Sequence, residues 1–394
     1  MAIPVTPCTY EELFYSSPLG PWDGVSKNYL RRVNGTYRSA VPAMLGNQEI
    51  RASERAMMAV SESRAAAERV DQALAAAPYD LPSVLLRSES ASSSRIENLT
   101  VSARNIALAQ AGRPSSRNAL LNVGNISSME RALAAAGIDR ATMGRVQEAL
   151  VDEEGLRGFR DGLVWISGNR YGPREADFVP PAAERVPAYI DDLEIFAARE
   201  DIDPLVKAFI FHAQFETVHP FADGNGRAGR ALVHLLLREG GISEAACLPV
   251  SAGLLADIGA YHGALAAFRE GDAEPIVCLM ADSLLEAAMT AASLKASMDA
   301  FLETWRDRVG GRSGSCAERL GPLLVRTPAT TAGSVASALG VSGEAAKKAL
   351  ARAVGAGMVS REGSARSTVY ICDTVLGAVE RACRTMPLRR GRPR

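Results

Sequence analysis

The segment that most constrains this chain is His219-Pro220-Phe221-Ala222-Asp223-Gly224-Asn225-Gly226-Arg227-Ala228-Gly229-Arg230, a polar, glycine-rich stretch lying between two apolar helical runs. Upstream, Pro204 to Val218 has helical spacing that buries Leu205, Phe209, Ile210 and Ala213. Downstream, Arg227 to Arg238 forms a second helix, closed by Gly240-Gly241 as a left-handed cap. Gly224, Asn225 and Gly226 can take positive φ, which turns successive N–H groups toward one point, where the following helix opens with its dipole positive. Such a turn cradles an anion. Arg227 and Arg230, three apart, share one helix face and can grip phosphate oxygens. Asp223 offers a hard oxygen to Mg²⁺, and His219 is placed to accept a proton from an attacking hydroxyl.

Elsewhere helix follows helix. Met57, Val60, Ala67, Val70 and Leu74 share one face of a helix over 49–77, and a second apolar segment runs from Leu81-Pro82 through Ser88 to Thr100. The first 48 residues, with Pro18-Leu19-Gly20-Pro21-Trp22, are expected to form an irregular arm over the body. Leu163 to Ile166 and Asp177 to Val179 flank a Gly/Asn/Pro-rich stretch and predict a β-hairpin flap. Arg308 to Cys316 reads as a Gly/Ser/Arg linker at a domain boundary. Beyond it, a helix from Thr331, a turn at Gly340-Val341-Ser342, a helix to Val354 and strands at 358–361 and 368–372 follow winged-helix order. The expected divisions are an arm (1–48), an N-terminal helical region (49–125), a catalytic core (126–306), a linker (307–318), a winged helix-turn-helix (319–380) and a basic tail (381–394).

Composition excludes little but bounds the partners. Lys+Arg (44) and Asp+Glu (45) nearly cancel, so attraction to nucleic acid or membrane must come from a local patch. The six cysteines show neither disulfide-framework nor zinc spacing, which suits free thiols. The N-terminus lacks a basic flank with an apolar core, and no run of about 18 uninterrupted apolar residues occurs, so no membrane role and a cytoplasmic location are expected.

The segment 219–230 resembles the signature of the Fic family, His-x-Phe-x-(Asp/Glu)-Gly-Asn-Gly-Arg-x-x-Arg, with every position filled. The resemblance implies a mainly α, Fic-type helical bundle with a small flap, and a protein adenylyltransferase that moves AMP from ATP to a Ser, Thr or Tyr hydroxyl. It casts His219 as general base and Asp223 as ligand of Mg²⁺ or Mn²⁺. It assigns Gly224, Asn225, Gly226 and Arg227 to the α- and β-phosphates and Arg230 to the γ-phosphate. Phe221 would anchor the loop, and Tyr261 lies where relatives often stack near adenine. The flap, at Ile166, Ser167 and Gly168, would dock the target as an added strand. Ser93-Ser94-Arg95-Ile96-Glu97-Asn98 resembles the family's inhibitory motif, in which Glu97 pairs with Arg230 and Ser93 marks the motif's start. In some relatives the same Glu helps remove AMP, so both directions are open.

His212, His234 and His262 read as structural, His234 with no predicted partner. In the C-terminal module, Lys347, Lys348 and Arg352 lie on the second helix and Arg361 and Arg366 about the wing. This basic face makes a DNA-binding regulator with a nucleotide-sensing site the alternative function. Expected partners are a protein presenting a hydroxyl, the chain itself included, and a second copy in a homodimer.

Overall fold

A computed structural model of the chain describes residues 2–18, 23–24, 26–113, 116–168, 171–363 and 368–383. Its centre is the helix Pro204–Val218, apolar on all sides and buried from Leu205 to Val218 except at Lys207. An element of that kind can only be internal. The chain reverses at 219–224 into the helix Asn225–Glu239, capped at Gly240, with Gly241 in the expected left-handed conformation. Helices Arg117–Ala134 and Arg140–Glu148 pack on the second of this pair, and Pro82–Ile96 packs on Arg117–Ala134 and touches the same helix.

The helix Glu274–Arg308 is long and apolar enough to cross a membrane by length and composition. Here Ile276, Val277, Met280, Ala281 and Leu284 are spent on the core, packed along Glu54–Ala75 and the short helices Val250–Ala256 and Ile258–Arg269. On Glu54–Ala75 the buried stripe is Ala56, Val60, Ser63, Ala67, Val70 and Leu74. Met57, expected on it, is 37% exposed because it stands one position off that alternation of four and three.

The N-terminal arm is not irregular. Thr9–Tyr15 and Gly35–Val41 form an antiparallel ribbon in register from Thr9↔Val41 to Tyr15↔Gly35, with the helix Lys27–Val33 before its second strand. Its sequence carries no clear alternation because neither face is purely apolar: Glu11 is half-buried with Leu13, whereas Phe14 is 72% exposed. Backbone bonds from Cys8 N–H to Arg269 O (2.8 Å) and from Ala40 N–H to Val179 O (2.9 Å) tie it to the body. Most of the Pro18–Trp22 stretch lies outside the described residues.

The flap departs from its expected form too. Among the described residues of 163–179 the hairpin reduces to one antiparallel bridge, Ile166↔Phe178, with Ile166 N–H donating to Phe178 O at 2.9 Å. Left-handed Ser167 and Gly168 and the 3₁₀ turn Pro173–Glu175 interrupt any longer ladder, since glycine and proline contribute little to strands. Asn169 and Arg170 lie outside the described residues.

The expected linker is shorter than its range, because only residues 309–315 lie outside helices. Glu274–Arg308 runs to its edge, and Cys316–Arg326 starts again with Ser315 as cap. Buried Trp305 bridges the two, its Nε1–H donating to Ala317 O at 2.9 Å beneath Gly321. Beyond, helices Ala332–Leu339 and Gly343–Gly355 meet at Gly340 (φ 63°), with a sheet ordered Ala329–Thr330, Val369–Ile371, Ser360–Glu362 and a final helix Asp373–Ala382. Arg366 and the basic tail at 389–394 lie outside the described residues. None of the six cysteines is in a disulfide.

Candidate active site

His219 ends the helix Pro204–Val218 in the left-handed conformation (φ 50°, ψ 61°), which is uncommon for a residue with a side chain. That turn aims its ring into the cleft. Nδ1 faces the Glu216 carbonyl at 3.4 Å, so a proton there leaves the Nε2 lone pair as acceptor. Burial, with the charges of Arg160 and Arg269, pushes the imidazole down to about 4, which keeps it neutral at pH 7.

The loop beyond is held by its own side chains. Phe221 is fully buried and stacks on Phe159, ring centroids 5.0 Å apart. Asn225 accepts from Phe221 N–H and donates to Phe221 O, both at 2.8 Å. This corrects the expected cradle, because only Gly224 (φ 86°) takes positive φ while Asn225 and Gly226 are already helical. Asn225 works as a staple, and the anion site is the helix N-terminus itself.

A carboxylate stands at that N-terminus. Arg230 is buried, donating from Nε to Ser93 Oγ (2.9 Å) and from Nη2 to Ser93 O (2.8 Å) and Glu97 Oε1 (2.8 Å). A side chain at Gly226 would fall on Glu97 Oε1, so glycine is required for this approach. Burial alone would raise the Glu97 carboxyl, but Arg230, with Arg227 and His219 adding, holds it below the usual range. Arg230 is raised in turn: burial is the largest influence and opposes its charge, but Glu97, Tyr261 and Glu216 together outweigh it. Glu97 caps the helix Pro82–Ile96, and left-handed Asn98 (φ 60°) closes it: Asn98 N–H bonds Arg95 O and Leu99 N–H bonds Ser94 O, both at 3.0 Å. Those two bonds are a Schellman ending, which gives a local reason for Asn after Glu.

Two cavities meet here. A cleft of about 260 Å³ runs over Asp223–Arg227, and one of about 490 Å³ is walled by Phe178, Arg230, Tyr261 and Leu265. Glu97, His219 and Gly226 line both, so the Glu97 carboxylate stands at the partition. In the smaller cleft Asp223 is 56% exposed, with Oδ1 accepting from Gly224 N–H and 3.6 Å from Arg227. Mg²⁺ takes one or two carboxylates and completes its octahedron with phosphate and water, so this single carboxylate suits it without a protein cage. Arg227 is buried and reaches Leu150 O at 3.4 Å.

Tyr261 lies at the site but is buried, its hydroxyl 2.7 Å from His212 Nε2. His234, expected without a partner, sits 3.1 Å from Glu89, and that carboxylate also takes Ser251 N–H at 2.8 Å. Despite burial, Cys247 and Glu89 raise His234 to about 10. Two further residues went unread. Glu216 is the lone acid in an apolar helix, and burial pushes it up to about 7. Arg160 is buried and donates to His219 O at 2.8 Å, and a charged residue beside an aromatic in a glycine-rich stretch was its only signal.

Residues 137–237 match the Fic/DOC family. A probable protein adenylyltransferase of Aquifex aeolicus is 43% identical over 91 residues, 23% of this chain and 26% of its own length. The protein adenylyltransferase fic-1 of Caenorhabditis elegans is 28% identical over 147 residues, 36% of this chain and 28% of its own. The matches thus span about a quarter of these curated relatives. A crystal structure of a Fic family protein from Desulfovibrio desulfuricans G20 matches with a TM-score of 0.55 at 24% identity, covering 82% of this chain and 97% of that one, a likeness of fold.

Proposed function

We propose that this chain, a Fic-family protein whose Fic domain spans residues 137–237, transfers AMP from ATP to a hydroxyl on a protein and is held mostly inactive by Glu97. The observation that carries the reading is the Glu97 carboxylate bonded to Arg230 against Gly226, where a phosphate would meet the helix N-terminus. A carboxylate fills an anion's place. Once Glu97 leaves, Arg230 and the N–H groups from Gly226 onward can take the triphosphate. The walls of the larger cleft, Tyr261 and Leu265 among them, offer adenosine an apolar surface. Neutral His219 then takes the proton of a Ser, Thr or Tyr hydroxyl at Nε2 as its oxygen attacks the α-phosphorus and pyrophosphate departs. Mg²⁺ at Asp223 would offset phosphate charge. Positioning and charge do the rest.

The test incubates purified wild type, Glu97→Gly and Glu97→Gly/His219→Ala with ATP labelled at the α- or γ-phosphate, with and without Mg²⁺. Label from the α-position alone, strong in Glu97→Gly and lost with His219→Ala, is the expected outcome. Label from the γ-position would replace AMP transfer with phosphorylation. A second reading, a DNA-binding regulator, draws on Lys347, Lys348 and Arg352, all exposed on Gly343–Gly355. Salt-dependent binding to one DNA sequence supports it, and its absence removes it.

A further inference from the structure

Arg160 joins parts of the site that sequence keeps apart. It is 6% exposed, and its guanidinium donates only to main-chain carbonyls: Nε to His219 O (2.8 Å), Nη1 to Gly162 O (3.0 Å), and Nη2 to Pro181 O (2.6 Å) and Val218 O (3.3 Å). Its own N–H donates to Pro220 O at 2.9 Å. The carbonyls of Val218, His219 and Pro220 therefore converge on one residue, which the left-handed turn at His219 makes possible. Burial brings the guanidinium down to about 10, with Glu184 a distant counter-charge rather than a bonded one. A buried guanidinium persists only where its donors are met, and here meeting them fixes backbone rather than another side chain.

The two remaining acceptors say what that backbone does. Gly162 and Pro181 stand at the entry and exit of the flap, whose inner bridge joins Ile166 to Phe178. One planar fork thus touches the main chain of His219 and both feet of the flap. We propose that Arg160 is a positioning residue that holds His219 in register with the flap, so that a hydroxyl presented along the flap meets Nε2. This rests on the reading of His219 as the base. Lysine keeps the charge but has one nitrogen on a flexible stem and cannot span the four carbonyls that the guanidinium reaches.

The experiment makes Arg160→Lys and Arg160→Gln in the full chain, each alone and with Glu97→Gly, and reads transfer, ATP affinity, thermal midpoint and His219. With Glu97→Gly, both variants are expected to bind ATP within about twofold of the parent yet transfer AMP about 100-fold more slowly, the scale of a misplacement near 1 Å. In the single variants, amide exchange at His219 and Ile166 should quicken together. By imidazole NMR, Arg160→Gln should raise the titration of His219 above that in Arg160→Lys, since only glutamine removes the neighbouring positive charge. Unchanged transfer in Arg160→Lys overturns the proposal, as does joint loss of transfer, ATP affinity and thermal midpoint. If Glu97→Gly itself transfers nothing, the activity reading falls, and exchange and titration alone judge Arg160; unaltered His219 and Ile166 amides then reject it. Should Arg160→Gln fail to fold, Arg160→Lys decides.

Discussion

The segment 219–230 and the helix Pro82–Ile96 meet at Arg230, yet they are held in place by opposite means. The segment is pinned by an aromatic stack, a two-way amide staple and Arg160, each contact local to residues 159–225. The helix joins the core through Val84, Leu85, Ala91 and Ile96, but Ser88, Glu89, Ser90, Ser92, Ser93 and Ser94 are fully buried too and add little of the methyl and methylene area on which apolar gain depends. Directional bonds hold this polar stretch. Asn125 donates to Ser90 O (3.0 Å) and Ser94 Oγ (3.1 Å), and Glu89 meets His234. Others come from the C-terminal module: Arg87 donates to Val325 O (3.0 Å) and Arg326 O (2.6 Å), and Arg95 to Cys383 O (3.1 Å). The geometry of 219–230 is thus built in, whereas the position of Glu97, the proposed brake, depends on its neighbours.

The largest effect should come from the pinned side. His219→Ala in a Glu97→Gly background is expected to cut AMP transfer by about 100- to 10,000-fold with the thermal midpoint kept, read by α-labelled ATP. A small loss would mean that another group takes the proton. On the dependent side, Glu97→Gly should raise transfer by about 5- to 150-fold, the usual span of a coupling between sites.

A smaller effect tests whether the C-terminal module helps to hold the brake. Arg104, which follows the brake motif, pairs with Glu362 and, at 2.7 Å, with Asp373. Exposed pairs are worth about 1 kcal/mol or less, so Arg104→Glu should raise transfer about twofold to fivefold. Restoration by Glu362→Arg with Asp373→Arg would show the contact rather than a general loosening. In Glu97→Gly the same change should do nothing.

The smallest effect is one of pH. A histidine of ordinary pKa loses its base form below about 6.5. His219, held near 4 by burial, keeps it. The transfer rate of Glu97→Gly should therefore stay flat from about pH 8 to 6, because removing the Glu97 carboxylate takes away a charge that favours protonation. A fall centred near 6.5 would place His219 in open water.

The two regions also differ in how far the chain could be read. The positions of 219–230 were legible because each polar residue there is anomalous between apolar helices, and so were the boundaries of Pro204–Val218. A run such as Ser88 to Ser94 looks like a solvated surface, and nothing local says that it is buried. Arg160 and the His234–Glu89 pair depend on contacts across long stretches of chain, which periodicity does not carry. The N-terminal ribbon and the single-bridge flap differ from expectation for a related reason: short strands with mixed faces are stabilised by what they pack against.

The central claim is that Glu97 occupies the place of a nucleotide phosphate by holding Arg230. Its most direct test measures ATP affinity and AMP transfer side by side for wild type and Glu97→Gly, both folded to the same thermal midpoint. The account predicts tighter or better-placed ATP and faster transfer in the variant, both abolished by adding Arg230→Ala. Equal transfer by the two proteins, or faster transfer that survives loss of Arg230, would contradict it.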